Sequence, residues 1–386
     1  MLNGIYKNPT TIHFGKDSIS NLSSELDGKA KNVLLVSGNV THDRFSIKRI
    51  VREKLSALGC NLFEISGVKP NPTLDLAYEG IKICAKEGID YILCIGGGST
   101  IDIGKSIAIG AEYDGDVFDF YNKKSSPKTM KKLGVILTIA GAGSESSDGA
   151  VISRYGKKFT CGAPCMYPTF AILDPSYTAS VPIEYSMYGV VDAISHVMER
   201  YFSATNSVNV SGALSEALIR ELIVLGQNLL EHPSDYDIRS EIMWASKLAH
   251  DNTTGFGRRH DWASHTIANQ IGGLFDVPHG ALLSVIFPAW MDYVASRNIN
   301  IFYQFGKTVF TLRGDHNEVA LAGISSYRKF LKKVQMPSRL SDICSINERH
   351  FQEIAQACSQ TTLSGTIGNL QRLDSKDVAH ILNACI

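Results

Sequence analysis

Four side chains in this sequence have the types and spacings to hold a metal ion: Asp192, His196, His265 and His279. Asp192 and His196 stand four apart in a stretch opened by Pro182, where apolar residues recur at Ile183, Met187, Val190, Ile194 and Val197. That period, with a proline tolerated in the first turn, predicts a helix. Residues four apart on a helix lie one turn apart on one face, so this helix offers a carboxylate and an imidazole to a single cation. His265 follows in Asp261-Trp262-Ala263-Ser264-His265, also helical in pattern. His279 sits in Asp276-Val277-Pro278-His279-Gly280, a turn leading into the apolar run Ala281 to Trp290. Three imidazoles and one carboxylate suit a first-row divalent ion such as Fe(II) or Zn(II), whereas Mg and Ca prefer oxygen shells. Taken singly, each histidine also has an ordinary reading as a packing or capping residue.

A second chemistry lies nearer the start. Asp90 to Ile95 is a buried-strand pattern that runs into Gly96-Gly97-Gly98-Ser99-Thr100-Ile101-Asp102 and then a helical stretch from Ile103 to Gly110. Glycines at a strand-to-helix junction let the backbone approach a ligand, and the helix N-terminus offers unpaired N–H groups to a pyrophosphate. A tight structural turn would use glycine too. The segment is neither the GxGxxG fingerprint nor a phosphate loop with a Lys-Ser/Thr pair.

The elements that must position these groups fall into two textures. Asn32 to Val36, Asn61 to Ile65, Asp90 to Ile95 and Leu133 to Ile139 read as strands. Helices over Ile47 to Leu58 and from a cap at Thr73 to Lys86 separate them. Strands joined by helices of that length predict an α/β domain with a mostly parallel, Rossmann-like sheet. From Pro182 onward helical patterns dominate, so the chain divides into an α/β domain over 1–181 and an all-α domain over 182–386. With the phosphate-type loop in one domain and the four candidate ligands in the other, the reaction is expected in the cleft between them. The 386 residues favour two domains over one core. The 38 Lys and Arg balance 38 Asp and Glu, which predicts neither a nucleic-acid nor an anionic-membrane surface. The opening residues Met1 to Gly15 do not read as a signal peptide and the longest apolar run is too short to span a bilayer, so a cytoplasmic protein is expected. Eight cysteines show no CxxC spacing, and Cys84 and Cys94 read as buried thiols.

The wording around the histidines adds to this. Asp-Trp-Ala-Ser-His at 261–265, Val-Pro-His-Gly-Ala at 277–281 and Phe-Pro-Ala-Trp-Met at 287–291 resemble the metal-dependent, iron-containing (group III) alcohol dehydrogenases. Within them the chain is most similar to the butanol dehydrogenase and broad-range aldehyde reductase branch. The resemblance extends from Asn8-Pro9-Thr10 and Phe14-Gly15-Lys16 to at least Trp290. It implies a dehydroquinate-synthase-like architecture and makes Asp192, His196, His265 and His279 the metal ligands. It gives Gly97, Gly98 and Ser99, with Asp102 in the same segment, to the dinucleotide, along with Thr138, Ser147 and Lys158. It also implies a homodimer. Where NAD-preferring members carry an aspartate, this chain has Gly38, followed by Asn39, with Asp43 the next acid. A carboxylate there reads the ribose diol and repels a 2′-phosphate, so NADP(H) is the expected cofactor and NAD(H) the lesser one. The implied activity is metal-assisted hydride transfer with a small primary alcohol or aldehyde, in a lining that includes Phe256, Trp262 and Phe275. The chain departs from the family at Asn269, where relatives carry a histidine one turn after the third ligand. Asparagine cannot titrate near neutral pH, so the proton route falls to Asn269 with water, the cofactor ribose, or a relocated imidazole such as His250 or His260. Two other readings remain: a same-fold dehydrogenase or lyase for a phosphorylated polyol or sugar-like substrate, and a non-catalytic metal-binding scaffold.

Overall fold

The computed structural model describes residues 1–38, 45–205 and 209–386. It contains two compact units, one of residues 7–182 and 234–247, the other of 1–6, 183–233 and 248–386. The main division falls where the sequence texture changes, but two segments are exchanged across it. The first six residues belong with the helical unit, and 234–247 with the α/β unit.

In the α/β unit, strands β1 (Thr11–Phe14), β2 (Asn32–Gly38), β3 (Asn61–Val68), β4 (Tyr91–Gly96), β5 (Lys132–Leu137) and β8 (Phe170–Leu173) form one sheet in the order β1-β8-β5-β4-β2-β3. Every pair in it is parallel. Parallel neighbours need crossovers, and helices α1 (Leu22–Leu26), α2 (Ile47–Ala57), α3 (Asp75–Glu87), α4 (Gly98–Gly110) and α5 (Phe118–Tyr121) are the helical parts of these connections. Alternate residues along a strand face opposite sides of a sheet. Val33, Leu35, Tyr91, Leu93 and Ile95 accordingly share a core with Leu22, Val51 and Leu55 of α1 and α2. Leu34, Val36, Ile92 and Cys94 share another with Ala77, Ile103 and Ile107 of α3 and α4. Both faces are buried, which is why these strands read as unbroken apolar runs. The chain leaves β2 for β3 on one side and returns to β4 on the other. That reversal is the topological switch point at which open α/β sheets bind ligands.

A hairpin stands apart from the sheet: β6 (Gly149–Arg154) pairs antiparallel with β7 (Lys157–Gly162). Tyr155 and Gly156 turn it with φ of 54° and 68°, the two positive values that a type I′ turn requires. Tyrosine is a poor signal for that turn, and Lys158, expected in a polar loop, lies on β7 opposite Ser153. Thr73 also departs from expectation: its hydroxyl donates to the Asp75 carboxylate at 2.7 Å instead of capping α3.

The helical unit holds α6 (Ile183–Tyr201), α7 (Asn209–Glu231), the end of α8 (Tyr236–His250), α9 (Ala263–Phe275), α10 (His279–Ala295), α11 (Ile299–Val309), α12 (His316–Lys333), α13 (Glu348–Ser359) and α14 (Ser375–Asn383). Helix α10 is buried nearly all round, from Gly280 to Met291, and packs against α6, α9, α12 and α14. An all-apolar helix of this length is a core helix, and among the described residues no helix is long and apolar enough to cross a membrane. Cys84 and Cys94 are free and buried, as expected, and burial raises their thiols to about 11 and about 12.

Helix α4 can lie on the sheet only because it carries glycine where it crosses β4. A Cβ on Gly104 would stand 2.2 Å from Cys94 Sγ and 3.3 Å from Leu133 Cδ1. Alanine in a helix gains about 1 kcal/mol over glycine, but overpacking a core costs about 1–3 kcal/mol. Gly104→Ala should therefore lower the thermal unfolding midpoint. Gly38→Ala, whose Cβ would meet nothing closer than 3.5 Å, should leave it unchanged. A Gly104→Ala protein as stable as the parent would show that the clash is relieved at no cost.

Candidate metal centre and dinucleotide loop

Helix α6 presents Asp192 and His196 on one face, as their spacing predicts. His265 comes from the first turn of α9, and His279 is the first residue of α10, not part of a preceding turn. Three imidazole nitrogens converge on a single carboxylate oxygen. His196 Nε2 is 3.7 Å from Asp192 Oδ1, and the Nε2 atoms of His265 and His279 are each 3.9 Å from it. Two donors on a tetrahedral ion with bonds of about 2.1 Å would be roughly 3.4 Å apart, so each imidazole stands within tenths of an ångström of that separation from Asp192 Oδ1, and the Asp192, His265 and His279 atoms lie within 4.8 Å of one another. Asp192 and His265 are buried.

The tautomer of His265 is fixed by a residue that sequence reasoning missed. Glu199, fully buried on α6 seven residues after Asp192, accepts from His265 Nδ1 at 2.8 Å and from the His265 backbone N–H at 3.0 Å. Its other oxygen accepts from the Trp262 backbone N–H at 2.6 Å. A carboxylate already taking two backbone donors leaves the ring nitrogen to be the donor, so the Nε2 lone pair points at Asp192. His265 Nε2 is buried with no hydrogen-bond partner. A lone pair and a carboxylate oxygen facing each other without a proton between them fit a cation, so this donor set suits the divalent ion expected from the sequence. The signal for Glu199 was its place on the ligand face of α6, three residues after His196. Burial drives the pKa of His196 well below its ordinary value, with His250, His265 and Arg200 adding repulsion. It is thus neutral, the form that ligates.

Close approach of α10 to α6 depends on Gly280. A Cβ there would stand 2.2 Å from the carbonyl oxygen of Tyr188, one turn before Asp192, and a backbone atom cannot move aside. The Trp262 ring packs edge-on against His196 and His265, with centroids 5.4 and 5.2 Å away, and Arg200 lies over its face at 5.0 Å. Of the three aromatics expected to line the site, Trp262 alone touches the ligands in these ring contacts. Phe256 packs on Tyr6, and Phe275 on His350.

The candidates for proton transfer separate as well. Asn269 is half-buried on α9, one turn after His265. His260 turns Nε2 to the Gly255 carbonyl at 3.1 Å, belongs to neither group of converging ligand atoms, and burial holds it at about 4. His250, which the sequence left unplaced, packs against His196 with ring centroids 3.8 Å apart and a tilt of 41°.

In the α/β unit, Gly97 is extended and α4 starts at Gly98, so Gly98 and Ser99 form its first turn. Cβ atoms on Gly96, Gly97 and Gly98 would meet Thr100 Oγ1 at 2.4 Å, Ile139 Cγ2 at 2.2 Å and Ala142 Cβ at 2.8 Å. Packing alone thus demands the three glycines, and the phosphate argument rests on the helix N-terminus at the switch point. Thr138 follows β5 and donates its N–H to the Gly96 carbonyl at 3.1 Å. Asp102 binds inward: Ser144 Oγ donates to one oxygen at 2.7 Å and the Val151 N–H to the other at 3.1 Å. Burial raises its pKa against the pull of Lys105, Ser144 and Lys158. Lys105, a lysine inside an apolar helix that sequence reasoning passed over, is fully buried. It donates to the carbonyls of Ser147 and Gly149 at 2.7 and 2.8 Å, and burial lowers it to about 8. Asp102 and Lys105 together tie the 144–151 segment, with Ser147, to α4. Gly38 ends β2, opposite Val68 of β3; Asn39 and Asp43 lie outside the described residues.

Replacing Glu199 by glutamine puts an amide where the carboxylate accepts three N–H donors. Outer-shell partners of this kind are worth about 10–100-fold in metal affinity. Glu199→Gln should weaken metal binding in chelator competition by that factor while the protein stays folded; unaltered affinity would remove Glu199 from the centre.

Two family profiles together match almost the whole chain. The iron-containing alcohol dehydrogenase profile matches residues 9–175, and the C-terminal profile of the Fe-containing alcohol dehydrogenase family matches 186–386. The probable NADH-dependent butanol dehydrogenase 1 of Bacillus subtilis is 36% identical over 391 residues, covering 100% of both chains. The NADPH-dependent aldehyde reductase YqhD of Escherichia coli is 30% identical over 344 residues, covering 86% of this chain and 87% of its own. The crystal structure of NADH-dependent butanol dehydrogenase A from Thermotoga maritima superposes with a TM-score of 0.95 at 33% identity, covering 100% of this chain and 99% of that one. The chain belongs to the iron-containing alcohol dehydrogenase family and is a metal-dependent, NAD(P)-dependent oxidoreductase.

Proposed function

We infer that Asp192, His196, His265 and His279 hold one divalent ion, Fe(II) or Zn(II), and that the enzyme reduces small aldehydes to primary alcohols with NADPH. The observation that carries this reading is the convergence of three Nε2 atoms on Asp192 Oδ1. A bound divalent ion supplies Lewis-acid polarisation of a carbonyl and stabilises the negative charge that hydride transfer develops. The residues around it do the rest. Asp192 offsets part of the ion's charge, Glu199 keeps the His265 lone pair aimed, and Trp262 covers two ligand rings. The first turn of α4, with Gly97, Gly98 and Ser99, takes the pyrophosphate, and Thr138, Ser147 and Lys158 contact the rest of the cofactor. Asp102 acts by holding Ser144 and Val151.

The preference for NADPH rests on Gly38. Nothing within 3.5 Å of its missing Cβ requires a glycine there, and a strand end without a carboxylate does not repel a 2′-phosphate. NADH is the second reading, favoured by the names of relatives such as NADH-dependent butanol dehydrogenase B of Clostridium acetobutylicum, 35% identical. Metal-loaded protein assayed with butanal decides between them. We expect kcat/KM at least tenfold higher with NADPH than with NADH, and no turnover after the metal is stripped. A tenfold preference for NADH would reverse the cofactor reading, and turnover of phosphorylated polyols but not butanal would replace the substrate class.

Asn269 leaves the proton route without a titrating side chain one turn from His265. General acid–base help is typically worth about 10²–10⁴-fold, so restoring an imidazole has a readable effect. Asn269→His should change the pH profile of kcat for aldehyde reduction at unchanged metal stoichiometry. An identical profile and rate would take Asn269 off the proton path.

A further inference from the structure

We propose that Lys105 is a positioning residue for the dinucleotide, one that holds the 144–149 backbone where the nicotinamide half of the cofactor lies and leaves the adenosine half untouched. The inference rests on the reading of the α4 N-terminus as the pyrophosphate site and of Ser147 as a cofactor contact, and it adds a residue that acts through them.

Gly98, Asp102 and Lys105 stand at i, i+4 and i+7 along α4, the spacing of one helix face. All three meet the chain that follows β5. A Cβ on Gly98 would stand 2.8 Å from Ala142 Cβ. Asp102 accepts from Ser144 Oγ and from the Val151 N–H. Lys105 Nζ donates to the carbonyls of Ser147 and Gly149, with Ser144 Oγ at 3.3 Å and Ser147 Oγ at 3.5 Å. That chain needs such fastening, because β5 has ended at Leu137 and its path is set by a 3-10 turn over Ser144–Ser146 and by Gly141 and Gly143 at positive φ.

Sheet order gives the two halves of a dinucleotide different neighbours. Strand β4, which leads into α4, has β2 on one side and β5 on the other. Gly38, the position that would read the ribose diol, ends β2. A dinucleotide with its pyrophosphate on α4 therefore turns its adenosine toward β2 and its nicotinamide half toward the segment after β5. An ammonium buried in an apolar helix is costly, and a methionine there would pack without that cost. What the charge adds is a clamp on the carbonyls of Ser147 and Gly149. A segment left to be ordered on binding would lose affinity for the half it contacts. Because the clamp and the pyrophosphate site share α4, one helix places both ends of the nicotinamide half.

Isothermal titration of the full chain with the reduced cofactor and with ADP, which lacks the nicotinamide half, separates the two halves. Lys105→Met should raise the dissociation constant of whichever of NADPH and NADH the parent binds more tightly by about tenfold or more, and leave that of ADP within about twofold. Ser147→Ala should weaken the reduced cofactor too, and the double variant should bind it no more weakly than Lys105→Met alone. Lys105→Gln, which keeps an amide donor in the same place, should show the same split to a smaller degree. Unchanged cofactor affinity in the Lys105 variants, or equal losses for cofactor and ADP, would overturn the role of Lys105 alone. Unchanged affinity in Ser147→Ala would overturn the cofactor contact on which that role rests. Failure of both Lys105 variants to fold would make Lys105 a residue of the fold and overturn the proposal.

Discussion

The interaction on which the helical unit depends is the meeting of His265 Nε2 and Asp192 Oδ1, two acceptor atoms 3.9 Å apart in a buried place. Facing acceptors repel unless a positive charge lies between them, and a buried acceptor left without a partner costs about 1–3 kcal/mol. Apparent binding energies for metals in His and Cys sites are on the order of 10 kcal/mol. The larger figure decides the matter, since a fold can keep such a strained arrangement when an ion is present to relieve it. Glu199 makes the arrangement persistent. By accepting from the Nδ1–H of His265, it prevents the ring from switching tautomer and donating to Asp192 instead.

The same residue ties the His265 ring to the backbone that carries it. Glu199 accepts from the N–H groups of Trp262 and His265, at the start of α9 where helical N–H groups lack partners. A second carboxylate works beside it. Asp261 is buried, accepts from Ala263 at 3.1 Å and from Asn369 and Leu370 at 2.7 Å each, and burial with Glu199 nearby raises it to about 7. The N-terminus of α9 is thereby fixed both to α6 and to the segment before α14. On the other side, Gly280 lets α10 touch the carbonyl of Tyr188 and sets His279 beside Asp192. Three helices are thus placed by short polar bonds and one missing side chain, with apolar packing filling the space around them.

Much of this was legible in the sequence, for local reasons. The four-residue step from Asp192 to His196 determines a shared helix face whatever the tertiary fold. The apolar runs at 32–36 and 90–95 are long enough for strands and too short for core helices, and the glycines that follow the second mark a close approach. What escaped depends on contacts distant in sequence. Glu199 looks like any helix glutamate until α9 folds back on it, 66 residues later. Lys105 looks like a solvated lysine until the carbonyls of Ser147 and Gly149 accept hydrogen bonds from its ammonium. Phe256 and Phe275 match an apolar lining by type, yet their ring partners are Tyr6 and His350. The β6–β7 hairpin was hidden because Tyr155 occupies a positive-φ position that asparagine or glycine normally signals.

Charge explains why imidazoles, and not more carboxylates, surround Asp192. Arg200 is buried nearby, and its side chain donates to the carbonyl of His196 at 2.7 Å. Burial lowers it to about 10, still far above neutral pH, so it stays charged. The formal charges of Glu199, Asp192 and Arg200 sum to minus one, and a dication would turn that sum to plus one. Either state leaves a single net charge to be solvated. Another carboxylate in place of His196 would leave two negative charges without the ion, a costly condition at low dielectric. The crowding that pushes His196 far below its ordinary pKa follows from the same balance. A protonated His196 among its neighbours and Arg200 would meet their repulsion, which keeps the lone pair of its ring free of a proton.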